Sequence, residues 1–381
     1  MSRLRGEGIF NPYGGKSVKK KILLIPLALL LAISLIAIGC PAPEPEVFEL
    51  SYALFQPPAA ALSVANTEFA EAIESRTNGQ VKITVHQGGS LLSGPAMYEG
   101  VRTGVADMGN CLTVYNPGTF PFTSIAEMPG AAESGWAVSN AQYDFLMKYQ
   151  PEEWADVHII TTCGDSTNIM AVAMATTPIL TLEDWKGKSV RTVNPEVVTA
   201  LGGTVKDVPM ADVYDNLAKG VVDGEIGAAE PLVSWKLADV AKHITLNFAP
   251  VQPAIVWYNI MNKDKWDSLP SDIQKTITEV GEEYNGKLGL VWDDQAVAGI
   301  EYAKSVDCTI YTISEEEEGR WTAALLPVID AKLQDLTTKG FTQQEVEEAW
   351  DYFQSRVEYW NGQQASNNVT PVRERVLEAI K

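Results

Sequence analysis

The chain of 381 residues is 46% hydrophobic and 20% charged, a globular composition with enough length for two lobes built around sizeable cores. Its formal net charge of −20 argues against nucleic-acid binding, which needs clustered Lys and Arg for phosphate contacts. Gly and Pro are scattered, so collagen-like and low-complexity classes are excluded as well.

In chain order, the first forty residues are a separate object. Lys16, Lys19, Lys20 and Lys21 precede an apolar run from Ile22 to Ile38, which closes on Ala37-Ile38-Gly39-Cys40. A basic start, an apolar middle and small residues at the exit describe an export signal rather than a membrane span. The ending resembles a bacterial lipobox, which makes Cys40 the expected lipidation site and 1–40 a lipoprotein signal peptide, although Ala37 stands where leucine is commoner. Residues 1–17 exceed what such a signal needs, consistent with translation beginning near Val18. The Pro-rich segment 41–47 then reads as a tether.

Phe48 to Leu54 predicts a strand. Leu62, Ala65, Phe69 and Ile73 follow at helical spacing, and Asn78-Gly79 stops that helix. Val81, Ile83 and Val85 alternate with Lys82, Thr84 and His86, a strand with one buried face; Gly88-Gly89 turns the chain and Pro95 opens the next helix. The β-α-β-α order gives an α/β fold. An internal echo strengthens it: Y-E-G-V-R-T-G-V-A-D at 98–107 and Y-D-N-L-A-K-G-V-V-D at 214–223 share Tyr, Gly, Val and Asp at an offset of 116. Both read as a helix that ends on glycine and feeds a strand, which predicts two lobes of one construction with a ligand crevice at the strand ends.

Residues 187–194, G-K-S-V-R-T-V-N, read as a strand with Arg191 at its centre. A guanidinium placed there wants an anion. Further on, Asp272 to Leu290, Val291 to Lys304, Glu315 to Leu336 and Gln343 to Trp360 show helical periodicity. The acidic run at Glu315–Glu318 reads as a helix start with a Ser314/Glu317 capping box, not a metal site.

Recognisable catalytic chemistry is missing. His86, His158 and His243 have no metal-ligand spacing, and no nucleophile elbow, Walker loop or dinucleotide fingerprint occurs. Cys111, Cys163 and Cys308 are odd in number and far apart, so free thiols are expected; a secreted hydrolase using Cys111 or Cys163 would need a histidine beside the sulfur.

D-W-K-G-K-S-V-R-T-V at 184–193, P-M-A-D-V-Y-D-N-L-A-K-G-V-V-D-G at 209–224 and M-N-K-D-K-W-D-S-L-P at 261–270 come in sequence, after G-Q-V-K-I-T-V-H-Q-G-G-S-L-L-S-G at 79–94. Together they resemble the extracytoplasmic solute-binding proteins of TRAP transporters, the DctP family, over roughly 48–360. The resemblance implies a two-lobed, periplasmic-binding-protein-like α/β fold of class II type, with crossing strands, long connecting helices and a hinge cleft. The expected divisions are 48–165 and 166–254 for the two lobes, 255–310 for a crossover back to the first, and 311–381 for C-terminal helices. It also implies no catalysis and no cofactor or metal. The partners implied are a small organic acid, TRAP permease membrane subunits, and the membrane through a lipid anchor on the periplasmic or extracytoplasmic face. By motif match Arg191 pairs with the ligand carboxylate, a planar fork of donors that lysine cannot replace.

Asn194 and Met210 are carried over as ligand neighbours, and Gly227 stands where sugar-acid binders have asparagine. Phe55 and Gln56 follow the first strand, Asn110 follows the Asp107 strand, and Trp235 and Tyr258, with Trp136 and Trp257, are aromatic candidates for the wall. Trp266 reads as structural. Leu112 and the arginine-free stretch 170–175 point to a site less polar than one for sugar acids. A ligand sensor of the same fold, presenting to a signalling receptor, is the alternative output.

Overall fold

The computed structural model describes residues 46–165, 169–248 and 253–381. The signal peptide and Cys40 lie outside the described residues, as do all but the last two residues of the expected tether. From Phe48 the chain forms β1 (Phe48–Leu54), α1 (Ala61–Arg76), β2 (Val81–His86), α2 (Met97–Arg102), β3 (Met108–Leu112), α3 (Gly135–Tyr149) and β4 (Val157–Gly164). It continues through β5 (Met170–Met174), β6 (Ser189–Thr192), α4 (Pro195–Ala200), β7 (Thr204–Val205), α5 (Val213–Ala218), β8 (Gly224–Gly227), α6 (Pro231–Ser234) and β9 (His243–Asn247). Then come β10 (Val256–Asn262), α7 (Lys263–Ser268), α8 (Ser271–Ser305), β11 (Thr309–Thr312), α9 (Glu315–Thr338), α10 (Gln343–Gln363) and α11 (Val372–Ala379).

The strands make two sheets, ordered β2-β1-β3-β10-β4 and β11-β9-β5-β8-β6-β7. Each is mostly parallel where βαβ units build it, with antiparallel pairs at β10 in the first sheet and β5 in the second. Apolar clusters cover both faces of each sheet. Tyr52, Phe69 and Ile73 lie on one face of the first, and Phe145, Trp154 and Tyr258 on the other; Trp185 and Trp321 face Leu232, Ile244 and Ile300 across the second. That double covering explains why β5, Met-Ala-Val-Ala-Met, is buried along its whole length.

The two apolar runs expected at 272–304 form one helix. α8 packs on α1, α3 and β4 of the first lobe and on α6 and α11 of the second. Close approach requires glycine there. A Cβ at Gly289 would stand 2.2 Å from the Gly135 carbonyl oxygen, and one at Gly299 would stand 2.1 Å from that of Ala229. β11 then pairs with β9, so the segment 255–310 serves both sheets rather than the first alone. Ser314 caps α9 by accepting from the Glu317 amide (3.3 Å), but the capping box is only half made. Glu317 instead accepts from the Leu182 amide (3.1 Å) and pairs with Arg320.

Candidate functional site

The expected strand at 187–194 is trimmed to Ser189–Thr192, because Gly187 takes a φ of +79° and Asn194-Pro195 starts α4. Within it, Arg191 lies directly opposite Glu225 of β8 in a parallel register. Side chains on neighbouring parallel strands stand side by side, and these two form an ion pair, Nη1 to Oε1 at 3.1 Å, with both residues buried. Arg191 Nε also donates to the Val208 carbonyl (3.3 Å). Among the described residues these two bonds occupy two of the guanidinium's five N–H groups, leaving three. Burial pushes the Glu225 carboxyl up to about 7, against the opposing pull of Arg191. A Cβ at Gly227 would come within 3.3 Å of Glu225 Oε1, so glycine keeps that carboxyl clear.

Arg191 faces a cleft that encloses, open solvent included, about 650 Å³ free of atoms. Its second-lobe wall carries Arg191, Val193, Met210, Glu225, Gly227, Glu230 and Trp235. The first-lobe wall carries Phe55, Gln56, Leu112, Tyr115, Asp165, Trp257 and Trp292. That wall is aromatic. Phe55 stacks on Trp257 (centroids 5.8 Å, planes 12° apart), meets Tyr115 edge-on at 5.5 Å, and Trp257 lies 5.1 Å from Trp292. Two further carboxyls face the same space. Burial pushes Asp165 up to about 8 although its Oδ1 accepts from the Ile255 amide (3.0 Å), and burial pushes Glu230 up to about 6 beside the Ser234 hydroxyl. Gln56 Oε1 is buried with no hydrogen-bond partner among the described residues.

Of the residues singled out in the sequence, the cleft gathers Arg191, Met210, Gly227, Phe55, Gln56, Trp235, Trp257 and Leu112. Tyr258, Asn110, Asn194 and Trp136 lie elsewhere. Tyr258 points into the first-lobe core against Trp154 (5.5 Å), because strand side chains alternate and Trp257 takes the cleft face of β10. Asn110 donates across the sheet to the Tyr258 carbonyl (3.1 Å). Asn194 starts α4, its amide held by Thr192 Oγ1 (3.0 Å). Trp136 packs edge-on against Trp360 (5.2 Å), between α3 and α10, and Trp266 stacks on His158 at 3.6 Å.

Asp165, Glu225, Glu230, Tyr115 and Trp292 went unread. Only Glu225 had a signal, since it precedes Gly227 by two in a strand and so shares its face. The expected low polarity is met by the rings but not by these three carboxyls. No reactive thiol emerges: burial pushes Cys111 up to about 12 and raises Cys163 further, and Cys111 Sγ donates to the Gly94 carbonyl (3.3 Å). His158 stacks on Trp266 and His243 Nδ1 meets the Tyr311 hydroxyl (3.1 Å), so no thiol–histidine hydrogen bond exists among the described residues.

Comparison with known proteins adds the following. The family model described as bacterial extracellular solute-binding protein, family 7 (DctP), matches residues 57–335. A solute-binding protein of Albidiferax ferrireducens is 26% identical over 227 residues, 56% of this chain; the match spans only 64% of that relative's length. The C4-dicarboxylate-binding periplasmic protein DctP of Rhodobacter capsulatus is 25% identical over 320 residues, 80% of this chain and 90% of that one. A crystal structure of a TRAP solute-binding protein from Rhodoferax ferrireducens T118, in complex with copurified benzoate, superposes with a TM-score of 0.76 at 21% identity. It covers 83% of this chain and 99% of the other.

Proposed function

The chain belongs to the bacterial extracellular solute-binding proteins of family 7, proteins that bind substrates and do not transform them, and we propose that it captures a small carboxylic acid between its two sheets for delivery to the membrane subunits of a TRAP transporter. The observation that carries this reading is Arg191, buried at the cleft wall with three N–H groups unspent among the described residues. A guanidinium in a cleft of low dielectric binds a carboxylate through paired, charge-assisted hydrogen bonds. The pair with Glu225 does not defeat this. It keeps the guanidinium oriented while the cleft is empty, when an unpaired buried charge would be costly.

The remainder of the acid meets rings. Phe55 and Trp257, nearly parallel, offer a flat apolar face that favours an aromatic or hydrocarbon body over a sugar. The benzoate of the Rhodoferax ferrireducens protein and the C4-dicarboxylate of the Rhodobacter capsulatus protein are chemistries of this kind. Export to the periplasmic face, with a lipid on Cys40 as tether, completes the proposal.

Calorimetry with a panel of aromatic and aliphatic mono- and dicarboxylic acids tests it. The variant is Arg191→Met with Glu225→Gln, which removes the charge pair together so that neither partner is left buried alone. The expected loss of affinity is about 100-fold or more, as for a desolvated charge contact. Equal affinity of variant and wild type for the best acid would overturn the role of Arg191.

A further inference from the structure

Resting on the reading that Arg191 holds a carboxylate, we propose that the ligand also carries a positively charged nitrogen, so that the cleft accepts a zwitterion of amino-acid or betaine type in preference to a plain acid. The charge inventory of the walls carries the argument. One guanidinium faces three carboxyl groups, those of Asp165, Glu225 and Glu230. Glu225 is already paired with Arg191, while Asp165 and Glu230 form no ion pair among the described residues. Both are at least nine-tenths buried, at 6% and 8% exposed. Burial favours the neutral forms of all three carboxyls, and a bare carboxylate entering this space adds negative charge that opposes their ionisation further. A zwitterion adds none, and its nitrogen gives Asp165 or Glu230 the positive partner it lacks.

Two independent features point the same way. Gln56 lines the cleft, is 8% exposed, and its buried Oε1 has no hydrogen-bond partner among the described residues, so a donor there would satisfy it. A plain carboxylate brings only acceptors, whereas an ammonium brings N–H groups. The first-lobe wall of Phe55, Tyr115, Trp257 and Trp292 provides ring faces that attract alkylated or protonated nitrogen through their quadrupoles. The carboxyls do not form a metal nest: among the described residues no three His, Cys, Asp or Glu stand close enough to hold an ion. An organic cation can reach carboxyls spread over two walls.

Isosteric pairs separate this from the underlying reading. Glycine betaine against 3,3-dimethylbutanoate differs only in nitrogen for carbon, and L-phenylalanine against 3-phenylpropanoate differs only in the ammonium. A wider set of α- and β-amino acids with their deaminated analogues extends the series. Calorimetry at pH 7 is expected to give at least one pair in which the nitrogen compound binds about tenfold or more tightly. Glu230→Gln, isosteric and uncharged, is expected to erase most of that preference, read as the ratio of affinities within each pair.

The inference is overturned if no zwitterion in the set binds, or if the carbon member matches or exceeds its partner in every pair. Should the plain acids then lose affinity in Arg191→Met with Glu225→Gln, the carboxylate reading stands and only the nitrogen is lost. Conversely, a zwitterion that binds this double variant unchanged leaves the nitrogen standing and removes Arg191 from its role.

Discussion

The two lobes are built on one plan and differ where they face the ligand. In the first, Gly104 turns the chain at φ +78° and the Val105 amide bonds the Gly100 carbonyl at 2.8 Å; in the second, Gly220 at φ +68° and Val221 to Asn216 at 2.8 Å repeat it. Asp107 Oδ2 accepts from the Ser51 amide at 2.7 Å, and Asp223 Oδ2 from the Ser189 amide at 2.7 Å. The sheet orders β2-β1-β3-β10-β4 and β7-β6-β8-β5-β9 then match strand for strand, β11 being extra. Two residues beyond Ser189 stands Arg191, but two beyond Ser51 stands Ala53; two beyond Asp223 stands Glu225, but two beyond Asp107 stands Gly109. What both lobes keep is scaffold. What only one carries is chemistry, and this isolates Arg191 and Glu225 from within a single chain.

The helix α8 offers the hardest way to break the comparison, since it touches both lobes at glycines. Gly289→Ala forces a methyl against the Gly135 backbone of α3, and Gly299→Ala forces one against Ala229, next to Glu230 of the cleft. Neither neighbour is a side chain that can swing away. Each variant is expected to lose about 3 kcal/mol in urea melts. They should part company in ligand binding. Gly299→Ala displaces the cleft wall and weakens it, while whatever Gly289→Ala retains as folded protein binds normally. Wild-type stability in both would mean that α8 does not clamp the lobes.

A milder test removes the shared aspartates. Asp107→Ala and Asp223→Ala each orphan a backbone amide and lose a charge-assisted bond, about 2 kcal/mol. Asp107→Ala should be the worse, because Asp107 also accepts from Ser51 Oγ (2.8 Å) and lies 3.5 Å from Lys265 Nζ. Thermal melts of the pair check this; a loss in one lobe alone would end the claim of common construction.

Most of the fold was legible because period and punctuation are local. The alternation of Val81 to His86 and the stripe of Leu62, Ala65, Phe69 and Ile73 needed no partner to be read. The join at Leu290–Val291 was not legible: the apolar stripe passes through it without a cap or breaker, and only packing on both lobes fixes one helix. Arg191 was legible through its motif. Glu225 was not, because its meaning depends on which strand lies beside β6, and parallel register is a long-range fact. Trp257 and Tyr258 show a narrower limit, since alternation says that one faces the cleft without saying which. Asp165 and Trp292 reach the site from the end of β4 and the middle of α8, far apart in sequence, and nothing local marks them.

The smallest effect concerns a buried acid that lies outside the cleft. Asp293 of α8 accepts from the Gly135 amide with Oδ1 (2.8 Å), while Oδ2 is buried with no hydrogen-bond partner among the described residues. Burial pushes its carboxyl up to about 7, the amide bond only partly opposing this. A carboxyl whose folded value is raised binds its proton more tightly when folded. Its contribution is therefore complete below the ordinary carboxylate range near pH 4 and is lost as pH rises through about 7. Asp293→Asn keeps the Oδ1 acceptor and cannot ionise. The variant should gain steadily on wild type as pH rises from 5 to 8, flattening the decline in melting temperature between them. The first lobe's clamp at Gly135 is then revealed as a part that weakens in alkali. Identical pH profiles for variant and wild type would show that Asp293 is already ionised in the folded protein, held by charges that outweigh its burial.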